Sequence, residues 1–463
     1  MKTTVVILAA GFGTRMRSKQ VKVLHRAGGL PLVEHVTRAS KAVAEPERTI
    51  VVTGHQADDV ERALAGNGVS FVRQGPPQGT GHALAACRER AAGFDGLLMV
   101  LLGDAPLLTA QTLLQLRDTQ AASNRAATLL TTTLPDPSGY GRVIVNPAGD
   151  VTAIVEHKVC TPQQREIRVI NSGIYCFQAK LLWDHIAKIQ PNPISNEYYL
   201  TDMFEILTGL GHRIGEMHIP DSNELLGINT RVELAQADRV LRDRKRRSLM
   251  LAGVTLEQPE TITIDMDVEV GQDTVVEPFA RLLGTTKIGD DCRVGAGAIL
   301  DGAILGNNAA VHAYTLVSNS SIASGAEVGP FSRLRMNSAV EADGRIGNFV
   351  ELKNTQFGAG SKSQHLAYLG DSTVGAGANI GAGTITCNYD GVAKHPTHIG
   401  AGAFVGSNST LVAPVTIGDD SYIAAGSVIT EEVPPEALAL GRARQTLKHE
   451  WAKRRKQQHG KKH

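Results

Sequence analysis

Large aromatic side chains are scarce in this chain: Phe, Tyr and Trp make up 4% of its 463 residues. Cysteines are few and scattered, at Cys87, Cys160, Cys176, Cys292 and Cys387, without Cys-x-x-Cys spacing. That excludes a disulfide framework and a cysteine zinc site. Neither sign of charge dominates. A formal net charge of +1 gives no electrostatic basis for binding nucleic acid or a membrane surface. No run reaches about 18 consecutive apolar residues, so no membrane-spanning helix is expected. The apolar stretch at the amino end is short and passes into Gly and Arg. It reads as the first strand of a cytoplasmic protein rather than a secretory leader. The length calls for two or three domains rather than one core.

What the chain has in place of aromatics is glycine, 48 residues, and in the second half much of it sits in a repeat. Aliphatic residues recur every six positions at Val270, Val276, Leu282, Ile288, Val294 and Leu300. After a slip of four the pattern resumes at Ile304, Ala310, Leu316, Ile322, Val328, Leu334, Val340, Ile346 and Leu352. A third run covers Ile399, Val405, Leu411, Ile417, Ile423 and Ile429, often with Gly next. One short strand plus one turn per six residues is the unit of a parallel β-helix, whose coils bury their cores against one another. Breaks in phase at about 301–303, Lys353–Thr373 and Thr386–His398 predict loops on the column.

The first two-fifths reads differently. Strand-like runs at Thr49–Thr53, Leu97–Leu102 and Ala126–Thr132 alternate with helical ones, the pattern of a doubly wound α/β domain. Between the halves, residues 230–252 predict a helix, with Thr230 and Glu233 as a capping box, Leu234, Ala237 and Leu241 on one face, and Gly253 as its stop. Its charge run Arg242–Arg247 reads as a solvated face, and the basic tail Lys453–His463 as disordered. The expected domains are 1–229, a linker helix 230–253, and 254–463.

One stretch carries the most chemistry. Val5-Val-Ile-Leu8 reads as a buried strand running into Leu8-Ala-Ala-Gly-Phe-Gly-Thr-Arg-Met16 and then a helix. Such a turn presents backbone N–H groups to an anion, with Gly11 and Gly13 permitting close approach and Arg15 adding charge. The spacing fits neither the dinucleotide-binding fingerprint nor the Walker A loop. It resembles the signature of sugar-phosphate nucleotidylyltransferases, and the repeat resembles that of hexapeptide transferases, whose β-helix is left-handed. Together, in this order, the halves resemble the bacterial bifunctional N-acetylglucosamine-1-phosphate uridylyltransferase/glucosamine-1-phosphate acetyltransferase family over nearly the whole chain.

The resemblance implies two activities: acetyl-CoA-dependent acetylation of glucosamine 1-phosphate, then Mg²⁺-dependent uridylyl transfer from UTP. For the second, it implies phosphate binding by Leu8, Ala9, Ala10, Gly11, Arg15 and Lys22, with Arg15 and Lys22 stabilising charge in the transition state. Asp104 and Asn229 become the Mg²⁺ ligands, though alone either could be a turn or cap residue. Gln74 becomes the uracil reader, beside Gly79 and Thr80, and Gly141, Glu156 and Asn171 form the sugar pocket. For acetyl transfer it implies His365 as general base, with Arg335, Lys353, Tyr368, Asn379, Asn388 and Tyr389 around the sugar phosphate. Ala382, Ser407, Ala425 and Arg442 would line acetyl-CoA. Small-molecule substrates and a homotrimer are implied as partners.

Five positions depart from the family pattern: Val21 for Pro, Leu102 for a Tyr of some relatives, Ser172 for Thr, and Met336 and Asn337 for Pro-Gly after Arg335. Two rival readings are a single-activity nucleotide-sugar pyrophosphorylase with a structural β-helix, and a non-catalytic assembly subunit.

Overall fold

The computed structural model describes residues 2–91, 95–193 and 195–459. It divides into two compact units, Met1–Arg244 and Lys245–His463.

In the first unit a sheet runs in the order Ile214–His218, Ala127–Thr133, Val169–Gln178, Leu97–Leu102, Thr3–Leu8, Thr49–Thr53, Ser70–Arg73. The apolar runs expected as strands all pair here, and buried aliphatics pack on both faces. The sheet is mixed: Val169–Gln178 is antiparallel to both neighbours, a direction that the alternation of strand-like and helical runs does not specify. The physical reason is a hairpin, Arg142–Val145 with Val151–Val155, which occupies the stretch a crossover helix would need. Thr3–Leu8 pairs in parallel with Thr49–Thr53 on one side and Leu97–Leu102 on the other, the point at which the strand order reverses. The carboxyl ends of these strands frame the crevice where open α/β sheets bind ligands.

One helix, Arg231–Leu251, crosses the boundary between units. Its capping box forms as expected: Glu233 N–H donates to Thr230 Oγ1 at 3.2 Å, and Thr230 N–H to Glu233 Oε2 at 2.8 Å. Gly253, at φ 97°, follows its end. The charge run is not simply solvated. Arg246 is buried and donates from Nη1 to the Ile262 carbonyl at 2.8 Å, and Arg244 donates to the Leu107 carbonyl at 2.8 Å. Orphan carbonyls at loop ends recruit these guanidinium groups.

The second unit is a left-handed parallel β-helix of three sheets, with every named pairing parallel. Most coils take 17 or 18 residues, as in the pairings Glu351 with Tyr368 and Arg333 with Glu351, while the coil that carries the excursion at 386–398 is longer and pairs Ile385 with Thr410. The expected inward register holds through Leu300, differs over 304–316, and holds again from Ile322 to Leu352 and from Ile399 to Ile429. Leu305, Val311 and Val317 are buried, while Ile304 and Leu316 are 57% and 45% exposed. Both members of each pair (304–305, 310–311, 316–317) are apolar, so periodicity alone could not choose between them.

Nor is 353–373 a loop: Phe357, Ser363, Leu369 and Val374 point inward in unbroken register, and the polar Ser363 hides the repeat. Only Thr386–His398 holds an excursion, between strands Ile385–Cys387 and Thr397–Ile399. Of the tail expected to be disordered, residues through 459 belong to a helix, Trp451–His459, exposed through residue 458, and 460–463 lie outside the described residues.

Two candidate active sites

At the carboxyl ends of Thr3–Leu8 and Leu97–Leu102 lies a cavity of about 320 Å³. Leu8, Ala9, Ala10, Gly11, Lys22, Gln74, Gly79, Thr80, Leu102 and Asp104 line it. The turn after Gly11 is only a 3₁₀ turn, Thr14–Met16, not the helix expected. With so short a turn there is no helix macrodipole, so anion binding there falls to backbone N–H groups and cations. Arg15 sits exposed on that turn and does not line the cavity.

Gly13, at φ +64°, lies so close to Lys22 that a Cβ would strike the lysine side chain. Val21 keeps a proline-like φ of −60°, and its N–H, which proline lacks, donates to Gln56 Oε1 at 2.7 Å. The departure at Val21 thus exchanges ring rigidity for a hydrogen bond.

Lys22 Nζ is ion-paired with Asp104 Oδ2 and donates to Asn229 Oδ1 at 3.0 Å. Three loops far apart in sequence meet at this point. The Ile228 N–H donates to the Asp104 carbonyl at 2.9 Å, and Glu233 Oε2 accepts from Asn229 N–H at 2.7 Å. The capping glutamate of the long helix therefore also fixes the candidate metal ligand.

Asp104 Oδ1 is buried without a hydrogen-bond partner. A hard cation would satisfy such an oxygen, so these residues fit Mg²⁺. No cluster of three or more His, Cys, Asp or Glu gathers for a metal among the described residues, so most ligands would have to come from phosphate and water.

Gln74 is buried, and its Nε2 lies 2.8 Å from His82 Nδ1 and 3.4 Å from the Gly79 carbonyl, which leaves its Oε1 for a ligand. Gly79, at φ +98°, abuts the Tyr198 backbone, and Thr80 Oγ1 accepts from Leu200 N–H at 3.0 Å.

Gly141, Glu156 and Asn171 come together. The Gly141 carbonyl accepts from Asn171 N–H at 2.9 Å, and a Cβ on Gly141 would lie 3.7 Å from Glu156 Oε1. Glu156 opens into a second cavity of about 420 Å³ with Tyr199, Asp202 and Glu205, which the sequence reading missed. Burial and then the Asp202 charge push the Glu156 carboxyl above its usual range, and burial raises Asp202 too. Ser172 keeps a hydroxyl's role by donating to the Leu130 carbonyl at 2.7 Å.

On the β-helix the expected residues separate into two groups. His365 ends strand Lys362–His365 rather than lying in a loop, and it is exposed. Its Nδ1 is 3.0 Å from Asn348 Oδ1. With the proton on Nδ1 shared to Asn348, Nε2 is the basic nitrogen. On the same corner, one coil after another, stand Ala382 and Ser407, whose carbonyls accept from Asn408 and Gly426 N–H groups, and then Ala425. Arg442 reaches this corner too, its Cδ 3.8 Å from a Cβ built on Gly426. Asn379 lies on the strand stacked on that of His365.

The next sheet and its far corner carry the other group. Lys353, buried, donates to Asp371 Oδ2 at 2.8 Å, and Asn354 and Asn388 donate to the same carboxylate. Burial alone would raise Asp371; these three donors outweigh it and hold it below the usual carboxylate range. Arg335 pairs with Glu351 at 2.7 Å. Met336 and Asn337 both take positive φ, 58° and 61°, so the turn turns left-handed without its usual glycine.

The Tyr368 hydroxyl and Asn388 Nδ2 both crowd Gly370, while Tyr389 is exposed and donates to the Gly391 carbonyl at 2.6 Å. Lys394 completes this group. The Lys353 ammonium, and more weakly Arg335, keep Lys394 below the usual lysine range. It lies in TCNYDGVAKHPTH, the excursion singled out by polarity, but no spacing marked it as a third cation.

No helix among the described residues is long and apolar enough to cross a membrane. Residues 5–159 match the MobA-like NTP transferase domain, and 267–302 and 396–431 match the bacterial transferase hexapeptide (six repeats). Among curated relatives, the bifunctional protein GlmU of Solibacter usitatus is 55% identical over 98% of this chain and 97% of its own. The proteins of the same name from Koribacter versatilis and Nostoc sp. are each 47% identical, over 100% and 97% of this chain and 99% and 98% of theirs.

Proposed function

The chain belongs to the family of bifunctional GlmU proteins, pairing a nucleotidyltransferase domain with a hexapeptide transferase domain, and from that premise we propose how its residues divide two reactions. The β-helix acetylates glucosamine 1-phosphate from acetyl-CoA. The amino-terminal unit then joins the product to UTP, giving UDP-N-acetylglucosamine and pyrophosphate.

For acetyl transfer the need is a base, because the attacking ammonium must lose a proton. His365 Nε2 takes that proton, with Asn348 holding the ring at Nδ1. The amine nitrogen attacks the thioester carbonyl and the thiol of CoA departs with a proton. Arg335, Lys353 and Lys394 bind the sugar phosphate, their charges partly offset by Glu351 and Asp371 before substrate arrives. Asn388, Tyr368 and Tyr389 place the sugar, Asn379 the acetyl group, and the corner of Ala382, Ser407 and Ala425 the pantetheine arm, with Arg442 near the CoA phosphates.

Uridylyl transfer needs no base. The sugar phosphate is already largely dianionic at neutral pH, and its oxygen attacks the α-phosphorus in line as pyrophosphate leaves. Asp104 and Asn229 would hold Mg²⁺, which supplies charge neutralisation at the phosphates when bound. Backbone N–H groups of the Gly11 turn, Arg15 and Lys22 bind the phosphates, Gln74 reads uracil, and Gly141, Glu156 and Asn171 hold the sugar.

We infer that the working form is a cytoplasmic homotrimer. His365 and the phosphate-binding cations occupy different corners of one chain, so a second copy must bring them together. An exposed apolar stripe beside His365 supports this: Phe279, Tyr314, Phe331, Phe349 and Leu366 are all more than half exposed. The rings of Tyr314, Phe331 and Phe349 stack at 5.3 and 5.6 Å.

The observation that carries the bifunctional reading is the exposed His365 clamped by Asn348 at the foot of a stack of small residues. Incubation with glucosamine 1-phosphate, acetyl-CoA, UTP and Mg²⁺, followed by mass analysis, tests it. The expected products are UDP-N-acetylglucosamine, free CoA and pyrophosphate. Unacetylated sugar with intact acetyl-CoA would leave only a pyrophosphorylase.

A further inference from the structure

An ammonium group stands where the candidate metal ligands converge. Lys22 Nζ contacts both Asp104 Oδ2 and Asn229 Oδ1, so the two oxygens that would receive a divalent ion already hold a monovalent one. The arrangement is shielded, with the Lys22 and Asp104 side chains each 14% exposed. It is also held from behind. Gly13 packs against the Lys22 side chain, the Val21–Gln56 bond fixes the preceding residue, and Glu233 fixes Asn229. Asp104 Oδ1 remains buried without a partner, so the lysine satisfies only one of the two carboxylate oxygens.

We propose that Lys22 keeps the metal position filled with its own charge until nucleotide arrives, and that ammonium and divalent ion exchange places as the triphosphate enters. This rests on reading Asp104 and Asn229 as the metal ligands. A divalent and a monovalent cation repel strongly at adjoining positions in a shielded site. A metal ion arriving alone must therefore pull Asp104 away from Lys22. A triphosphate changes the balance, because its oxygens receive the displaced ammonium while the metal takes the carboxylate. Metal and nucleotide binding are then coupled through one side chain, and the coupling is reciprocal. Lys22 thus acts twice, as a phosphate ligand in the loaded site and as a competitor of the metal in the unloaded one.

The test measures metal binding alone, with no turnover. The full chain is titrated with Mn²⁺ in the absence of nucleotide, free Mn²⁺ being followed by its electron paramagnetic resonance signal. Lys22→Met should bind Mn²⁺ at least about tenfold more tightly than the unaltered protein, equivalent to about 1.4 kcal/mol. Adding Asp104→Asn to that variant should abolish the gain. Equal or weaker binding by Lys22→Met overturns the proposal. Should Lys22→Met fail to fold by circular dichroism, Lys22→Gln carries the same comparison. A different result would overturn the metal-ligand reading itself: Mn²⁺ binding with UTP present that is unaffected by Asp104→Asn.

Discussion

The two units hold phosphorylated sugars by opposite architectural means. In the amino-terminal unit, loops after three strands and the cap of the long helix converge on one cavity, so Lys22, Asp104 and Asn229 meet although they lie far apart in sequence. On the β-helix the expected residues do not converge on one place. Each coil adds residues along an axis, and three flat faces turn away from one another, so His365 and Lys353 stand on different corners. An open sheet gathers a site at its carboxyl edge; a solenoid displays one along its length. On this account the first site is complete within one chain and the second is completed by assembly.

The largest effects should separate the two sites. His365→Ala should lower acetyl transfer by at least about 100-fold and leave uridylyl transfer within about twofold. Asp104→Ala should do the reverse, and parallel loss of both activities in either variant would merge what the structure keeps apart. Lys353→Ala removes the cation from Asp371, whose side chain is 14% exposed, and leaves it only its Asn354 and Asn388 donors. It should cost about 3 kcal/mol in chemical denaturation and raise the KM for glucosamine 1-phosphate while sparing the uridylyl half.

A sharper contrast lies within the β-helix. Leu305→Ala should cost about 2–4 kcal/mol, and Ile304→Ala less than about 1, although the two residues are adjacent and both aliphatic. Equal costs would return the inward register to the sequence-based one. The smallest effect concerns Glu156. Its raised pKa in the folded state means that ionisation there costs stability, a cost present at neutral pH and absent once both folded and unfolded forms are protonated. Glu156→Gln should raise the melting temperature by about 1–2 °C at pH 7.5, with no gain near pH 3.5, while weakening N-acetylglucosamine 1-phosphate turnover.

Much of this was legible in residue order, because period-six aliphatics and the Gly11 motif are local patterns. Where two apolar residues sit side by side, as at Leu316 and Val317, the pattern does not say which faces inward; only stacking on the coils above and below decides. Ser363 breaks the pattern from inside, and so a continuous wall reads as a loop. The antiparallel Val169–Gln178 was hidden for another reason: strand direction is set by the hairpin that precedes it, not by its own composition. Arg246 reads as one more surface charge until the Ile262 carbonyl is placed beside it. Lys394 and Asp371 escaped because their meaning is electrostatic and depends on Lys353, which only the coil geometry brings to them. Asp202 and Glu205 were missed likewise, since no motif connects them with Glu156.

Hybrid oligomers test the central claim most directly. His365→Ala and Lys353→Ala proteins are unfolded together, refolded as a mixture and assayed with acetyl-CoA and glucosamine 1-phosphate far below the raised KM of Lys353→Ala, where each protein alone shows little acetyl transfer. The account predicts that acetyl transfer returns, because some interfaces join an intact His365 from one copy to an intact Lys353 from another. A mixed pair of Asp104→Ala and Gln74→Ala proteins, treated identically, should regain no uridylyl transfer. A mixture of the first pair that stays as inactive as its components would contradict it.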